Sequence, residues 1–138
     1  MDKVVEMKGI TKIFPGTIAN DNVNFDLLRG ETHVLLGENG AGKTTLMNIL
    51  YGLYQPEKGE IYIKGNKVKI ANPNDAISLG IGMVHQHFKL VHNFTVAENI
   101  ILGKETKKGV LLDIGKARND VKKLADKYGF NINPDDLI

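Results

Sequence analysis

Several features that often reveal the class of a protein are missing or weak in this sequence of 138 residues. It contains no cysteine, which excludes disulfides and thiolate metal sites and fits a reducing compartment. No apolar run approaches the roughly 18 residues of a membrane helix, and the N-terminus lacks the apolar core of a signal peptide. The net charge of +2 is too small a bias to indicate nucleic-acid binding by itself. We therefore expect any contact with a membrane to go through a partner.

The remaining composition is typical of one soluble globular domain, with 42% hydrophobic and 25% charged residues. Three segments alternate apolar and polar residues, as strands with one exposed face do: residues 3–14, 17–28 and 57–70. The last of these is predicted to be a hairpin that turns at Gly65 and Asn66. Residues 32–36 and 81–86 are more continuously apolar, which predicts strands covered on both faces.

Helix signals occur in four segments: residues 42–53, 72–80, 95–103 and 113–130. Asn72 is a predicted N-cap with Pro73 at the first helical position. Thr95 is a second predicted N-cap, and Glu98 completes a capping box. The last helix is amphipathic and is expected to end near Gly129. One side of it carries Ile114, Ala117, Val121, Leu124 and Tyr128. The order of strands and helices predicts an α/β or mixed layered fold.

The sequence GENGAGKTT at residues 37–45 fits the spacing of a phosphate-binding loop between a strand and a helix. Glycines allow positive φ, successive N–H groups can form an anion nest, and the helix N-terminus adds its positive end. Lys43 would reach the β- and γ-phosphates, Thr44 would ligate Mg²⁺, and Thr45 would bond the α-phosphate. The plainer interpretation is a glycine-rich turn before a helix. The candidate nucleotide-binding residues of the loop are Gly37, Asn39, Gly40, Ala41, Gly42, Lys43, Thr44 and Thr45.

The sequence around this loop resembles the ATP-binding subunits of ABC transporters. The resemblance is carried by GENGAGKTTLMNILYGLYQPEKGEIYIKG, by the preceding VVEMKGITKIFPGTIANDNVNFDLLRGETHVLL and by GIGMVHQHFKLVHNFTVAENIILG. Together they cover nearly all of the chain, and the likeness is greatest to importers of simple sugars and nucleosides. It implies an α/β fold, a P-loop NTPase core with an N-terminal antiparallel β subdomain. Residues 1–110 would form that subdomain and the core up to and just beyond the Gln loop, and 111–138 would begin the helical subdomain.

The resemblance also implies roles for two residues outside the loop. Phe14 occupies the position of an aromatic that stacks on adenine; the alternative is a turn or core aromatic beside Pro15. Gln86 matches the Gln-loop residue that contacts Mg²⁺ and the γ-phosphate, and with Lys43 it is a candidate catalytic residue. The alternative for Gln86 is a polar residue that ends a strand. The implied cofactors are ATP and Mg²⁺, with Thr44 and Gln86 as the expected metal ligands.

As a family member, the protein would be a peripheral ATPase at the cytoplasmic face of the cell membrane. It would couple ATP hydrolysis to the uptake of a small solute, a sugar or a nucleoside. The implied partners are transmembrane permease subunits, a second ATP-binding cassette and, indirectly, a solute-binding protein, but no nucleic acid. Residues 88–94 are expected near the surface that meets the membrane partner.

Three motifs of the family are absent from these 138 residues: the LSGGQ-like signature, an apolar strand ending in Asp-Glu, and the later switch histidine. We therefore expect an N-terminal piece of a cassette that binds nucleotide with little or no turnover. The alternative from another class is a stand-alone nucleotide-binding or interaction module without catalysis. A GTPase is disfavoured because GNKV at residues 65–68 lacks the aspartate of the guanine-reading motif. No acceptor-substrate lid of a small-molecule kinase is identifiable.

Overall fold

The computed structural model describes residues 2–85, 90–103, 107–108 and 111–138. They form two compact units, Met1–Val84 and His85–Ile138. The predicted division after residue 110, which rests on the resemblance alone, stays a prediction.

The first unit is built on a four-stranded antiparallel sheet in the order β2-β1-β3-β4. Its strands are β1 (Lys3–Phe14), β2 (Thr17–Leu28), β3 (Lys58–Ile63) and β4 (Asn66–Val68). The predicted strands 3–14 and 17–28 are confirmed at both ends. The hairpin is also present, but it turns at Lys64 and Gly65, one residue earlier than predicted. Both residues have left-handed φ angles, 50° and 79°, which suits the twist of a two-residue hairpin.

Two helices cover the apolar face of this sheet. Helix α1 (Lys43–Leu50) contributes three buried residues, and α2 (Pro73–Ser78) contributes Ala76. The core consists of Val5, Met7, Ile10, Leu46, Ile49, Leu50, Ile61, Ile63, Ile70 and Ala76. Asn72 caps α2 as predicted, since its side chain accepts from the N–H groups of the next turn. Helix α1 ends before the predicted residue 53, because Gly52 adopts a left-handed φ of 82°. A Cβ at this position would overlap the carbonyl of Asn72.

The prediction of two strands covered on both faces is wrong for the described residues. Residues 32–36 and 81–85 form no strand. Val34, Leu36 and Val84 are 67%, 88% and 81% exposed. A strand requires a neighbour that takes up its N–H and C=O groups, and within the described residues neither segment pairs with one. An apolar pattern by itself therefore does not produce a strand in these two segments.

The second unit contains α3 (Val96–Ile101), a short hairpin of β5 (Lys107–Lys108) and β6 (Leu111–Leu112), and α4 (Ile114–Tyr128). The capping box of Thr95 and Glu98 is confirmed, and so is the left-handed glycine at residue 129 that ends α4. The buried side of α4 consists of Ala117, Val121 and Ala125. The predicted side was wrong at Leu124 and Tyr128, which are 49% and 60% exposed.

The last residues of the chain are tied to the start of α3. The N–H groups of Val96 and Ala97 donate to the carbonyls of Asp136 and Pro134, each at 2.9 Å. These bonds satisfy amides that a helix leaves free in its first turn. None of the described helices is long and apolar enough to cross a membrane.

Candidate functional site

Residues 37–42 form a loop that leads into α1, and residues 43–45 are the first turn of that helix; residues 37–45 together are called the loop below. The side chain of Lys43 folds back over this loop. Its Nζ donates to the carbonyl oxygens of Gly37 and Glu38, each at 2.7 Å. The loop itself is closed by a bond from Ala41 N to Glu38 O at 3.2 Å. One ammonium group is therefore held at the loop by backbone carbonyls, which are neutral acceptors that an anionic oxygen can replace.

No described side chain caps the N-terminus of α1, and this uncapped end is called the open N-terminus below. Gly42 is the N-cap residue, and no described side chain places a carboxylate in the first turn. Thr44 is exposed and Thr45 is half-buried. The N–H groups of the first helical turn have no intrahelical acceptor, and the helix dipole makes this end positive. The arrangement of free amides, hydroxyls and one ammonium group fits an anion such as a polyphosphate.

Gly42 fixes this loop against β2. A Cβ at Gly42 would lie 2.1 Å from the carbonyl oxygen of Ala19 and 2.8 Å from Nδ2 of Asn20, so only glycine fits. Nδ2 of Asn20 donates to the Gly42 carbonyl at 3.3 Å. Asn20 is 5% exposed, and its Oδ1 has no hydrogen-bond partner among the described atoms. Asn20 was missed by the sequence analysis, since its contact joins segments 22 residues apart.

Phe14 is half-buried at the end of β1, where it pairs with Thr17 across the β1–β2 turn. Residues 19 and 20, which contact Gly42, come shortly after Thr17 in β2. Phe14 and the loop therefore lie at the same end of the sheet. The ring of Phe14 packs against the ring of Tyr54, with the two centroids 5.3 Å apart. Tyr54 and the nearby Lys12 were missed by the sequence analysis, because no local motif links them to Phe14.

Gln86 lies outside the described residues, as do residues 88 and 89 of the predicted partner surface. The roles predicted for them stay predictions. In the described ranges, no three histidine, aspartate or glutamate side chains come together in a way that could hold a metal ion. The described part of the site is therefore the loop of residues 37–45 with Phe14.

A profile of the ABC transporter family matches residues 20–138. The chain belongs to the ABC transporter family. It is 60% identical over 135 residues to the guanosine import ATP-binding protein NupO of Bacillus subtilis, covering 98% of this chain and 26% of that protein. It is 53% identical over 137 residues to the nucleoside import ATP-binding protein NupA of Lactococcus lactis, covering 99% of this chain and 27% of that protein.

The fold agrees with this family assignment. A nucleotide-free ATP-binding cassette from an ABC transporter superposes with a TM-score of 0.77, at 21% identity, covering 96% of this chain and 56% of that one. The predicted fold class, an ABC-type core with an antiparallel β subdomain, is thereby confirmed. The chain spans about a quarter of the length of the curated relatives that it matches.

Proposed function

We propose that this chain binds Mg-ATP through residues 37–45 and Phe14, as part of an importer ATPase that drives the uptake of a small solute. The observation that carries the proposal is the open N-terminus of α1, with the ammonium group of Lys43 held beside it. The names of the two relatives support import of a nucleoside ahead of a sugar. They give less support to a stand-alone nucleotide-binding module.

In this proposal Lys43 exchanges its two carbonyl acceptors for oxygens of the β- and γ-phosphates. The exchange is favourable because a bond between two charged groups is stronger than one to a neutral carbonyl. The free N–H groups of α1 hold the remaining phosphate oxygens, and Thr45 bonds the α-phosphate. Phe14 stacks on the adenine, which is worth about 1–3 kcal/mol by analogy with other base–aromatic contacts.

When bound, Mg²⁺ would neutralise negative charge on the phosphates. The exposed hydroxyl of Thr44 fits a hard cation that prefers oxygen ligands. Gln86 is the second ligand that we propose, and with Lys43 it is a proposed catalytic residue. The proposed partners are transmembrane permease subunits at the cytoplasmic face of the membrane, a second cassette and, indirectly, a solute-binding protein.

The binding proposal is tested by calorimetry of Mg-ATP with the full-length protein that carries this sequence. Lys43→Ala should weaken binding at least about tenfold, since it removes a charged bond worth roughly 1.5–3 kcal/mol. Lys69→Ala is the matched control, because Lys69 is an exposed lysine in the same unit outside the loop. Equal affinity of the wild type and Lys43→Ala would refute the proposed role of the loop.

The transport proposal is tested in cells by uptake of radiolabelled guanosine and ribose. Deletion of the gene should abolish guanosine uptake and leave ribose uptake unchanged. Loss of ribose uptake alone would identify a sugar importer, and loss of neither would contradict the importer assignment for both solutes.

A further inference from the structure

Phe14, at the end of β1, is in contact with the side chains of Tyr54 and Lys12. The rings of Phe14 and Tyr54 meet nearly at right angles, with an interplanar angle of 77° and centroids 5.3 Å apart. This edge-to-face geometry is one of the favourable arrangements of aromatic pairs. The ammonium group of Lys12 lies 5.3 Å from the Phe14 centroid, within the range of a cation–π contact. The orientation of the Phe14 ring is therefore set by two side chains from different parts of the chain.

The segment that carries Tyr54 is fastened to β1 by Glu57. One carboxylate oxygen of Glu57 accepts from Lys12 Nζ at 2.7 Å, and the other accepts from Ile13 N at 2.8 Å. The backbone N–H of Glu57 donates to Thr11 O at 2.9 Å. Lys12 adds a bond to the carbonyl of Gln55 at 2.8 Å. These four bonds hold residues 55–57 against the C-terminal end of β1, so Tyr54 has a defined position beside Phe14.

The same segment continues directly from the helix that follows the phosphate loop. The N–H groups of Leu53 and Tyr54 both donate to the carbonyl of Asn48 in α1, at 2.8 and 3.3 Å. Tyr54 is thus attached to α1 by the backbone and to Phe14 by its ring. The aromatic residue and the loop, which would hold opposite ends of one nucleotide, are linked through Tyr54.

We propose that Tyr54 is a positioning residue that holds the Phe14 ring in the orientation needed to stack on a purine base. This inference rests on the proposed binding of ATP at the loop and Phe14. Tyr54 acts through Phe14 in this proposal, so its contribution is confined to ligands that carry a base. Lys12 of β1 and Glu57 of the segment after α1 support the same arrangement.

The test compares Mg-ATP with Mg-tripolyphosphate, which has the phosphates but no base, by calorimetry on the full-length protein. Tyr54→Ala should weaken Mg-ATP by about 2- to 10-fold, the value of an aromatic pair, and leave Mg-tripolyphosphate unchanged. Tyr54→Phe keeps the ring and should restore the affinity for Mg-ATP. Unchanged binding of Mg-tripolyphosphate also shows that the variant is folded at the loop. Tyr54→Leu is a second variant that lacks the ring but keeps most of the side-chain volume, and it should weaken Mg-ATP in the same way as Tyr54→Ala.

A double-mutant cycle separates positioning from direct contact. In a Phe14→Leu background, Tyr54→Ala should cause no further loss of affinity for Mg-ATP, because the ring it orients is gone. A further loss in that background would overturn the inference, since Tyr54 would then touch the base itself. Equal weakening of both ligands by Tyr54→Ala would also overturn it, and so would full affinity of Tyr54→Ala for Mg-ATP. Failure of the wild type to bind either ligand would instead refute the proposed function.

Discussion

Replacement of Gly42 by alanine should destabilise the nucleotide-free protein considerably more than the same replacement at Gly40. Both glycines have left-handed φ angles, 83° and 86°, which cost an alanine about 1–2 kcal/mol. A Cβ at Gly40 meets nothing within 4 Å, whereas at Gly42 it would lie 2.1 Å from the carbonyl oxygen of Ala19. Relief of that overlap requires movement of the β2 backbone and adds about 1–3 kcal/mol.

The expected losses in unfolding free energy are therefore about 1–2 kcal/mol for Gly40→Ala and about 2–5 kcal/mol for Gly42→Ala. Urea unfolding followed by circular dichroism, in the absence of nucleotide, measures both. Gly40→Ala is the matched control, because it shares the backbone strain and the loop but not the close contact. Equal losses for the two variants would refute the conclusion that β2 is packed directly against the start of α1.

Three further predictions use the same unfolding measurement. Thr95→Ala removes the capping box with Glu98 and should cost about 1 kcal/mol, whereas Thr95→Ser should restore most of it; equal stability of all three would contradict the cap. The bond from Lys67 lowers the pKa of Glu60 below its ordinary value of 4.5, so this pair stabilises the fold above pH 4.5 and less as the pH falls below it. The stability difference between the wild type and Glu60→Gln should accordingly shrink on acidification, and a difference that grows would contradict the pairing. Asn20→Leu should change stability by less than about 1 kcal/mol, because it removes the unsatisfied Oδ1 and leaves the Gly42 carbonyl with its other bond, from Leu46 N. Asn20→Asp buries a carboxylate beside a carbonyl and should cost about 3 kcal/mol or more at pH 7; equal tolerance of both variants would contradict the burial.

Elements whose cause is local could be predicted from the sequence. Asn72 and Thr95 cap their helices because a side-chain oxygen meets N–H groups two or three residues away. Gly129 ends α4 because glycine adopts the left-handed conformation without strain. The phosphate-loop spacing likewise predicted a loop that leads into a helix, and α1 does begin at Lys43, whereas the binding of phosphates by residues 37–45 stays a prediction.

Features that depend on distant residues could not be predicted. The apolar pattern of residues 32–36 specifies two faces that favour burial, but a strand forms only where another strand accepts its hydrogen bonds. The contact between Asn20 and Gly42, and that between Phe14 and Tyr54, join residues 22 and 40 positions apart. No periodicity or local motif records such pairs, so the support of the site became visible only in the fold.

The central claim is that the phosphates of ATP bind at the open N-terminus of α1. The most direct measurement is amide hydrogen exchange of residues 40–46 in the full-length protein, with and without Mg-ATP, followed by mass spectrometry. We predict slower exchange in this segment on addition of Mg-ATP, and for Lys43→Ala the same protection should require a roughly tenfold higher concentration of Mg-ATP. Exchange that remains unchanged in the wild type at saturating Mg-ATP, or protection confined to segments outside the loop, would contradict the claim.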